Sequence, residues 1–297
     1  MNTNKRINQS LQNAKHINFD NEDKLILMSD CHRGDGSWSD DFANNQHLYF
    51  YAMSHYFDAG FTYIELGDGD ELWENRTFCD ISAEHSHVFW LLKKFFERKR
   101  IYFLYGNHDM VKKNKRWLVN NFYECYDERD NQNIKLFPDI VIYESIILHH
   151  KETNGEISLI HGHQADFFND RLWKIGRFLI RILWRPLEIF GFNNPTGTAK
   201  NYKKRNKIEN NLSKWSERNK KMLISGHTHR PVFPKPEGVH YFNDGSSVHP
   251  RCITAIEIEN GTIALVKWSM LTRKSGTLAV FRDVLAGPEF LEKYFNE

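Results

Sequence analysis

The sequence predicts a layered α/β sandwich interrupted by a basic helical insertion. Short apolar runs of strand length alternate with helical stretches in the first half of the chain. Strand patterns dominate the second half, and residues 165–220 interrupt the pattern with helical, cation-rich sequence. The 297 residues, 40% apolar and 26% charged, can bury a large core, which excludes a disordered or collagen-like chain. One domain over 1–297, with the insertion as a cap, is the expected organisation. No run of about 18 apolar residues exists, so no membrane-spanning helix is expected. The first twenty residues lack a signal-peptide core, which points to the cytoplasm. Cys31, Cys79, Cys125 and Cys252 are scattered and form no CxxC, as reduced thiols would be.

Residues 5–17 read as a short polar helix. Residues 25–28 are a compact apolar run ending at Ser29-Asp30, the pattern of a buried strand. Residues 40–59 read as a helix, with Asp40 or Asp41 able to cap it and Gly60 to stop it. Residues 61–66 are a second strand ending at Gly67-Asp68. Residues 87–99 are helical, with Val88, Leu91, Leu92, Phe95 and Phe96 on one side, and 101–105 are a third strand ending at Gly106-Asn107. Residues 140–150 and 156–160 form a hairpin turning at Asn154-Gly155 and running into His161. A strand over 221–225 ends at Gly226-His227. Strands at 239–242, 253–258 and 262–268 and a closing helix at 281–295 complete the expectation.

Five polar clusters therefore follow five strands: Asp30-Cys31-His32, Gly67-Asp68, Gly106-Asn107-His108-Asp109, His161-Gly162-His163 and Gly226-His227-Thr228-His229. In open α/β sheets the carboxyl ends of strands face one crevice, where distant residues converge. Imidazoles, carboxylates and one amide oxygen form a mixed donor set that suits Mn²⁺, Fe or Zn²⁺ better than Mg²⁺ or Ca²⁺. In Asp-x-His and His-x-His on extended chain, residues i and i+2 face one side. The glycines before Asp68, Asn107 and His227 permit sharp turns. Arg33 and Arg76 are candidates to clamp a substrate phosphate, whereas His163 reads as a surface histidine.

Net charge is only +2, but it is unevenly spread. Residues 171–221 carry fourteen Lys/Arg against three Asp/Glu, a surplus of eleven, so the remainder holds −9. Arg171, Lys174, Arg177, Arg181 and Arg185 fall at helical spacing among large apolar residues, the composition of an interfacial helix. Lys200, Lys203, Lys204, Arg205 and Lys207 follow. A cap packed on the sandwich, a wall for the substrate and a peripheral membrane contact are the readings this segment supports; nucleic acid is a further one.

The five motifs in this order resemble the calcineurin-like metallophosphoesterases, over roughly residues 24–269. That resemblance implies a four-layer α-β-β-α sandwich and two divalent metal ions, Mn²⁺ first and Fe or Zn²⁺ next. It implies that Asp30, His32 and His229 hold one metal, that Asn107, His161 and His227 hold the other, and that Asp68 bridges them. A metal-activated hydroxide would attack phosphorus. His108 would protonate the leaving oxygen, oriented by Glu71, three residues after Asp68. The insertion between His161 and Gly226 also looks like the cap of bacterial UDP-2,3-diacylglucosamine diphosphatases, which differ in having Arg at the position of His108 and Asp at that of His163. The expected function is a phosphohydrolase acting on a phosphorylated small molecule or lipid-linked substrate, at the inner membrane surface if the cap touches lipid. A nuclease, a protein phosphatase and a non-catalytic interaction module are the alternatives.

Overall fold

A computed structural model describes residues 3–127, 131–184 and 201–295. One sheet contains Lys15–Phe19 (β1), Ser145–His150 (β8), Glu156–Ile160 (β9), Met222–Ser225 (β10) and Tyr241–Asn243 (β11), in the order β1-β8-β9-β10-β11. The other contains Leu25–Met28 (β2), Thr62–Glu65 (β3), Ile101–Leu104 (β4), Ile142–Tyr143 (β7), Cys252–Glu259 (β12), Thr262–Thr272 (β13) and Leu278–Phe290 (β14), in the order β14-β13-β12-β2-β3-β4-β7. Glu124–Asp127 (β5) and Gln132–Lys135 (β6) form a separate hairpin.

β2 is apolar at every position because both of its faces are covered. Leu25 and Leu27, with Ile64 and Leu104, meet Ile146, Leu148, Ile157, Leu159 and Ile224 between the sheets. Ile26 and Met28 point the other way, with Tyr63 and Phe103, under Gln46–Asp58 (α2), Phe78–Glu84 (α3), Ser86–Glu97 (α4) and Lys115–Phe122 (α5). On the far side, Leu223 and Tyr241 pack under Ile7 of Thr3–Leu11 (α1) and Ile208, Leu212 and Trp215 of Tyr202–Asn219 (α8). The order is helices, sheet, sheet, helices. β2, β3 and β4 run parallel, as do β9 and β10.

Several expected elements differ. β1 occupies part of the expected first helix and pairs in parallel with β8. α2 begins only at Gln46, because Asp40 accepts the N–H groups of Gly36, Phe42 and Ala43 and organises the preceding turn. The first hairpin strand divides at Glu144, and its halves β7 and β8 enter different sheets. Residues 281–295 are not a closing helix. β14 pairs antiparallel with β13, Gly287-Pro288 is incompatible with a helix interior, and only Leu291–Tyr294 turns helically. In the insertion, Phe167–Arg171 (α6) and Trp173–Leu179 (α7) lead into a π-helical turn at Ile180–Trp184, whereas α8 belongs to the outer layer of the sandwich. Arg185 and Lys200 lie outside the described residues. Among the described residues no helix is long and apolar enough to cross a membrane.

Arg33 corrects a further expectation. It is 1% exposed, turned away from solvent, and lies over the Phe89 ring. Its guanidinium donates twice to Glu65, at 2.9 and 3.0 Å, and its Nε donates to Asp70 at 2.6 Å. Lys112 Nζ joins Asp70 to Asp109, at 2.7 Å from each. An arginine this buried and already paired with two carboxylates is out of reach of a substrate phosphate. This network ties together the chain after β2, β3 and β4. Arg33→Met leaves Glu65 and Asp70 buried without that cation and is expected to destabilise the protein by about 3–5 kcal/mol in urea unfolding. A loss below about 1 kcal/mol would show that the network is dispensable.

Candidate metal centre

Each polar cluster sits where a buried strand runs out, and the backbone there is unusual. Asp30, His32, Asp68, His227 and His229 have φ of 50, 48, 50, 68 and 54°. Left-handed backbone is uncommon for such residues and costs about 1–3 kcal/mol each unless the surroundings impose it. Asp30 and His32 therefore face one space through turned backbone, not through the extended alternation expected. Gly67, at φ 100°, supplies a turn. Gly106 and Gly226 serve instead for close approach: a Cβ would lie 2.1 Å from Asp68 Oδ1 and 2.1 Å from Ser29 Oγ, respectively.

Two groups of donors result. Asp30, His32 and His229 form one, and Asp68, His161 and His227 the other; within each group the donor atoms all lie within 4.8 Å of one another. Asp68 Oδ2 is 3.1 Å from His161 Nε2 in its own group and 3.9 Å from His32 Nε2 in the other, so this carboxylate spans both. Its Oδ1 accepts the His108 N–H at 2.7 Å. His32 Nε2 and His229 Nε2 are 3.3 Å apart, and His229 Nε2 is 3.1 Å from Asp30 Oδ1. Asn107 lies buried beside them.

The fit to a cation rests on unpaired atoms. Asp30 Oδ1, Asn107 Oδ1, His161 Nε2 and His227 Nε2 are buried without a hydrogen-bond partner. Each such atom costs about 1–3 kcal/mol unless something meets it. In two of these candidate ligands, His161 and Asp30, the other polar atom is held in place. His161 Nδ1 donates to the Leu66 carbonyl at 2.9 Å, which turns Nε2 toward Asp68 Oδ2, 3.1 Å away. Asp30 Oδ2 accepts from Ser29 Oγ at 2.6 Å and from His227 N–H at 2.7 Å. Burial alone would raise the pKa of Asp68, but His161 and His108 beside it hold it well below the usual carboxylate range. The same balance, with His229 and His161 opposing burial, keeps Asp30 ionised.

Glu71 sits between two imidazoles. Its carboxylate lies 2.8 Å from His108 Nδ1 and 2.9 Å from His32 Nδ1. Burial opposes its ionisation, but His108 and His32 bring its pKa down to about 2. Trp73 stacks on the His108 ring with centroids 4.3 Å apart. Asp70, engaged by Arg33 and Lys112, is no partner of His108. Arg76 is exposed on the loop after Trp73.

Several neighbours of the site lie outside the five motifs. Ser29 Oγ also lies 2.7 Å from Asp244 Oδ1, and burial together with Asp30 pushes the Asp244 pKa well above the usual carboxylate range. Ser246 Oγ donates to the Asp30 carbonyl at 3.1 Å. Asp166 Oδ2 is 3.6 Å from His227 Nε2. Ser29, Asp166, Asp244 and Ser246 belong to no spaced motif; Asp244 and Ser246 fall in the polar run 243–247 that follows an apolar strand, the one local signal that could have found them. His163 is not a surface histidine: it is fully buried, and burial followed by His161 and His227 drives its pKa well below the ordinary value. Arg181 leaves the expected cationic stripe and turns inward, donating to the carbonyls of Trp73, Leu72 and Asn75 at 3.0, 2.8 and 2.9 Å.

Residues 23–231 match the sequence profile of the calcineurin-like phosphoesterases. No curated protein matches the chain in sequence. Among solved structures, Vps29 of Chaetomium thermophilum is similar at a TM-score of 0.41 and 9% identity, over 89% of this chain and 95% of that one.

Saturating Mn²⁺, at about 100 times its Kd, is expected to raise the Tm by about 5–8 °C. Asp68→Asn should abolish the shift, and Gly106→Ala, whose methyl displaces the Asp68 carboxylate, should do the same. A wild-type Tm indifferent to Mn²⁺, Fe²⁺ and Zn²⁺ would refute the metal centre.

Proposed function

The chain belongs to the calcineurin-like phosphoesterase family, and on that premise we propose that it hydrolyses a phosphoester or pyrophosphate bond with two divalent cations, Mn²⁺ first and Fe or Zn²⁺ next. The observation that carries this reading is the convergence of two adjoining groups of donors, in which Asp30 Oδ1, His161 Nε2 and His227 Nε2 are buried without a hydrogen-bond partner. Asp30, His32 and His229 would hold one cation, Asn107, His161 and His227 the other, with Asp68 between them. When bound, the cations would neutralise phosphoryl oxygens and acidify a water for in-line attack.

The chain's own residues supply the rest. Glu71 accepts from His108 Nδ1, which fixes the ring and leaves Nε2 to give a proton to the leaving oxygen as the P–O bond breaks. Trp73 limits rotation of that ring and covers one of its faces. With Arg33 withdrawn, Arg76 is the remaining arginine proposed to meet the substrate.

The cap favours an amphiphilic, lipid-linked substrate and peripheral contact with an anionic inner membrane surface. Phe167, Phe168, Ile175, Phe178, Ile182 and Leu183 are each more than half exposed, beside Arg171, Lys174 and Arg177. Exposed apolar side chains in such number suit acyl chains better than a nucleic-acid backbone. A sugar-nucleotide lipid is one substrate of this kind.

His108→Gln is expected to lower kcat by about 10²-fold or more on a diester with an alkoxide leaving group. The loss should be smaller on bis-p-nitrophenyl phosphate, whose leaving oxygen needs no proton; equal losses would remove His108 as the acid. In liposome flotation with anionic lipid, the double variant Phe178→Asp/Ile182→Asp should stay with the soluble fraction while the wild type floats. Equal flotation would remove the membrane contact.

A further inference from the structure

A cavity of about 540 Å³ adjoins the metal centre, lined by α1, residues 164–171 and the first turns of α8. Asp166 touches both: its Oδ2 is 3.6 Å from His227 Nε2 and 2.9 Å from Lys204 Nζ. Five cations line the cavity, Arg6, Arg171, Lys203, Lys204 and Lys207, against the two carboxylates of Asp166 and Asp170. Those carboxylates are already met, Asp166 by Lys204 and Asp170 by Arg6. Lys203 and Lys207, one turn apart on α8, form no ion pair among the described residues, so the lining carries excess positive charge.

Gln164 adds an independent observation. It is 3% exposed and lines the cavity. Its Oε1 accepts the Gly162 N–H at 3.0 Å, which fixes the amide, and its Nε2 has no partner. A buried amide donor at the wall of a cationic cavity calls for an acceptor, and an oxyanion meets both requirements.

We propose that this cavity binds a second phosphoryl group of the substrate, next to the one that is hydrolysed. The inference rests on the phosphohydrolase reading of the adjoining centre and narrows it to substrates with at least two phosphoryl groups, such as pyrophosphate-linked molecules. Neither Gln164 nor the two lysines is a candidate metal ligand, so the cavity can be tested apart from the metals.

The test titrates pyrophosphate and orthophosphate calorimetrically into the chelator-treated full chain. Two variants are compared with the wild type, Gln164→Glu and Lys203→Glu/Lys207→Glu. Gln164→Glu keeps the oxygen that accepts from Gly162 and replaces only the unpartnered donor. The wild type should bind pyrophosphate about tenfold more tightly than orthophosphate, and each variant should weaken pyrophosphate binding by about tenfold or more. With Mn²⁺ restored, both variants should raise the KM for ADP-glucose by about tenfold relative to the KM for bis-p-nitrophenyl phosphate. The proposal is overturned if the wild type does not bind pyrophosphate, if either variant binds it within about twofold of the wild type, or if the KM ratio stays fixed. Orthophosphate binding as tightly as pyrophosphate would overturn it too, by making free phosphate the occupant. If no phosphoester is turned over while the binding pattern holds, the phosphohydrolase reading fails and the cavity stands as a site for linked phosphoryl groups.

Discussion

The Arg33 guanidinium is the interaction on which the centre depends. Parallel pairing of β2, β3 and β4 brings their ends together, but it leaves the direction of the turns beyond them undefined. Arg33 joins Glu65 to Asp70, and Lys112 joins Asp70 to Asp109. Asp109 in turn accepts the backbone N–H groups of Gly106 and Gly69, at 2.7 and 3.2 Å. Asp68 and Asn107 are thus held by a lattice of charge one layer beneath them. Three carboxylates against two cations leave that layer net negative, which suits a floor under divalent cations. A hydrophobic replacement of similar volume could pack there, but it would not specify the turns.

The other sheet is joined to this floor at the centre itself. His161 bonds the Leu66 carbonyl, and the backbone of His227 bonds Asp30. Ser29 has one hydroxyl proton and two carboxylate neighbours. Its Oγ lies 2.6 Å from Asp30 Oδ2 and 2.7 Å from Asp244 Oδ1, so one proton serves two carboxylates. Burial and the neighbouring Asp30 push the Asp244 pKa up, while His229 and His161 oppose burial at Asp30.

Much of this was legible in the sequence because it depends on short-range pattern. A buried strand abruptly ended by polar residues marks both the strand and the ligands, and all five such places recur at strand ends. What depends on pairing across the molecule was hidden. The run at 281–295 has apolar spacing compatible with a helix, and only its pairing with β13, together with Gly287-Pro288, makes most of it a strand. Arg33 beside His32 reads as a phosphate clamp and Arg181 as part of a cationic stripe; burial and three-dimensional partners give them structural duties instead. Asp166, Ser29 and Asp244 carry no spacing signal, since their relation to the centre is created by the meeting of two sheets.

Glu71 has a consequence for how such a protein can diverge. One carboxylate bonds His32, a candidate metal ligand, and His108, the proposed proton donor. Any substitution there changes both imidazoles at once, so metal preference and leaving-group preference are inherited as one trait. Separate adjustment of either has to come from residues that touch only one ring, and on the His108 side Trp73 is such a residue. On the proposed mechanism, variation at position 73 is one route by which this scaffold can change its leaving-group preference without altering a candidate metal ligand.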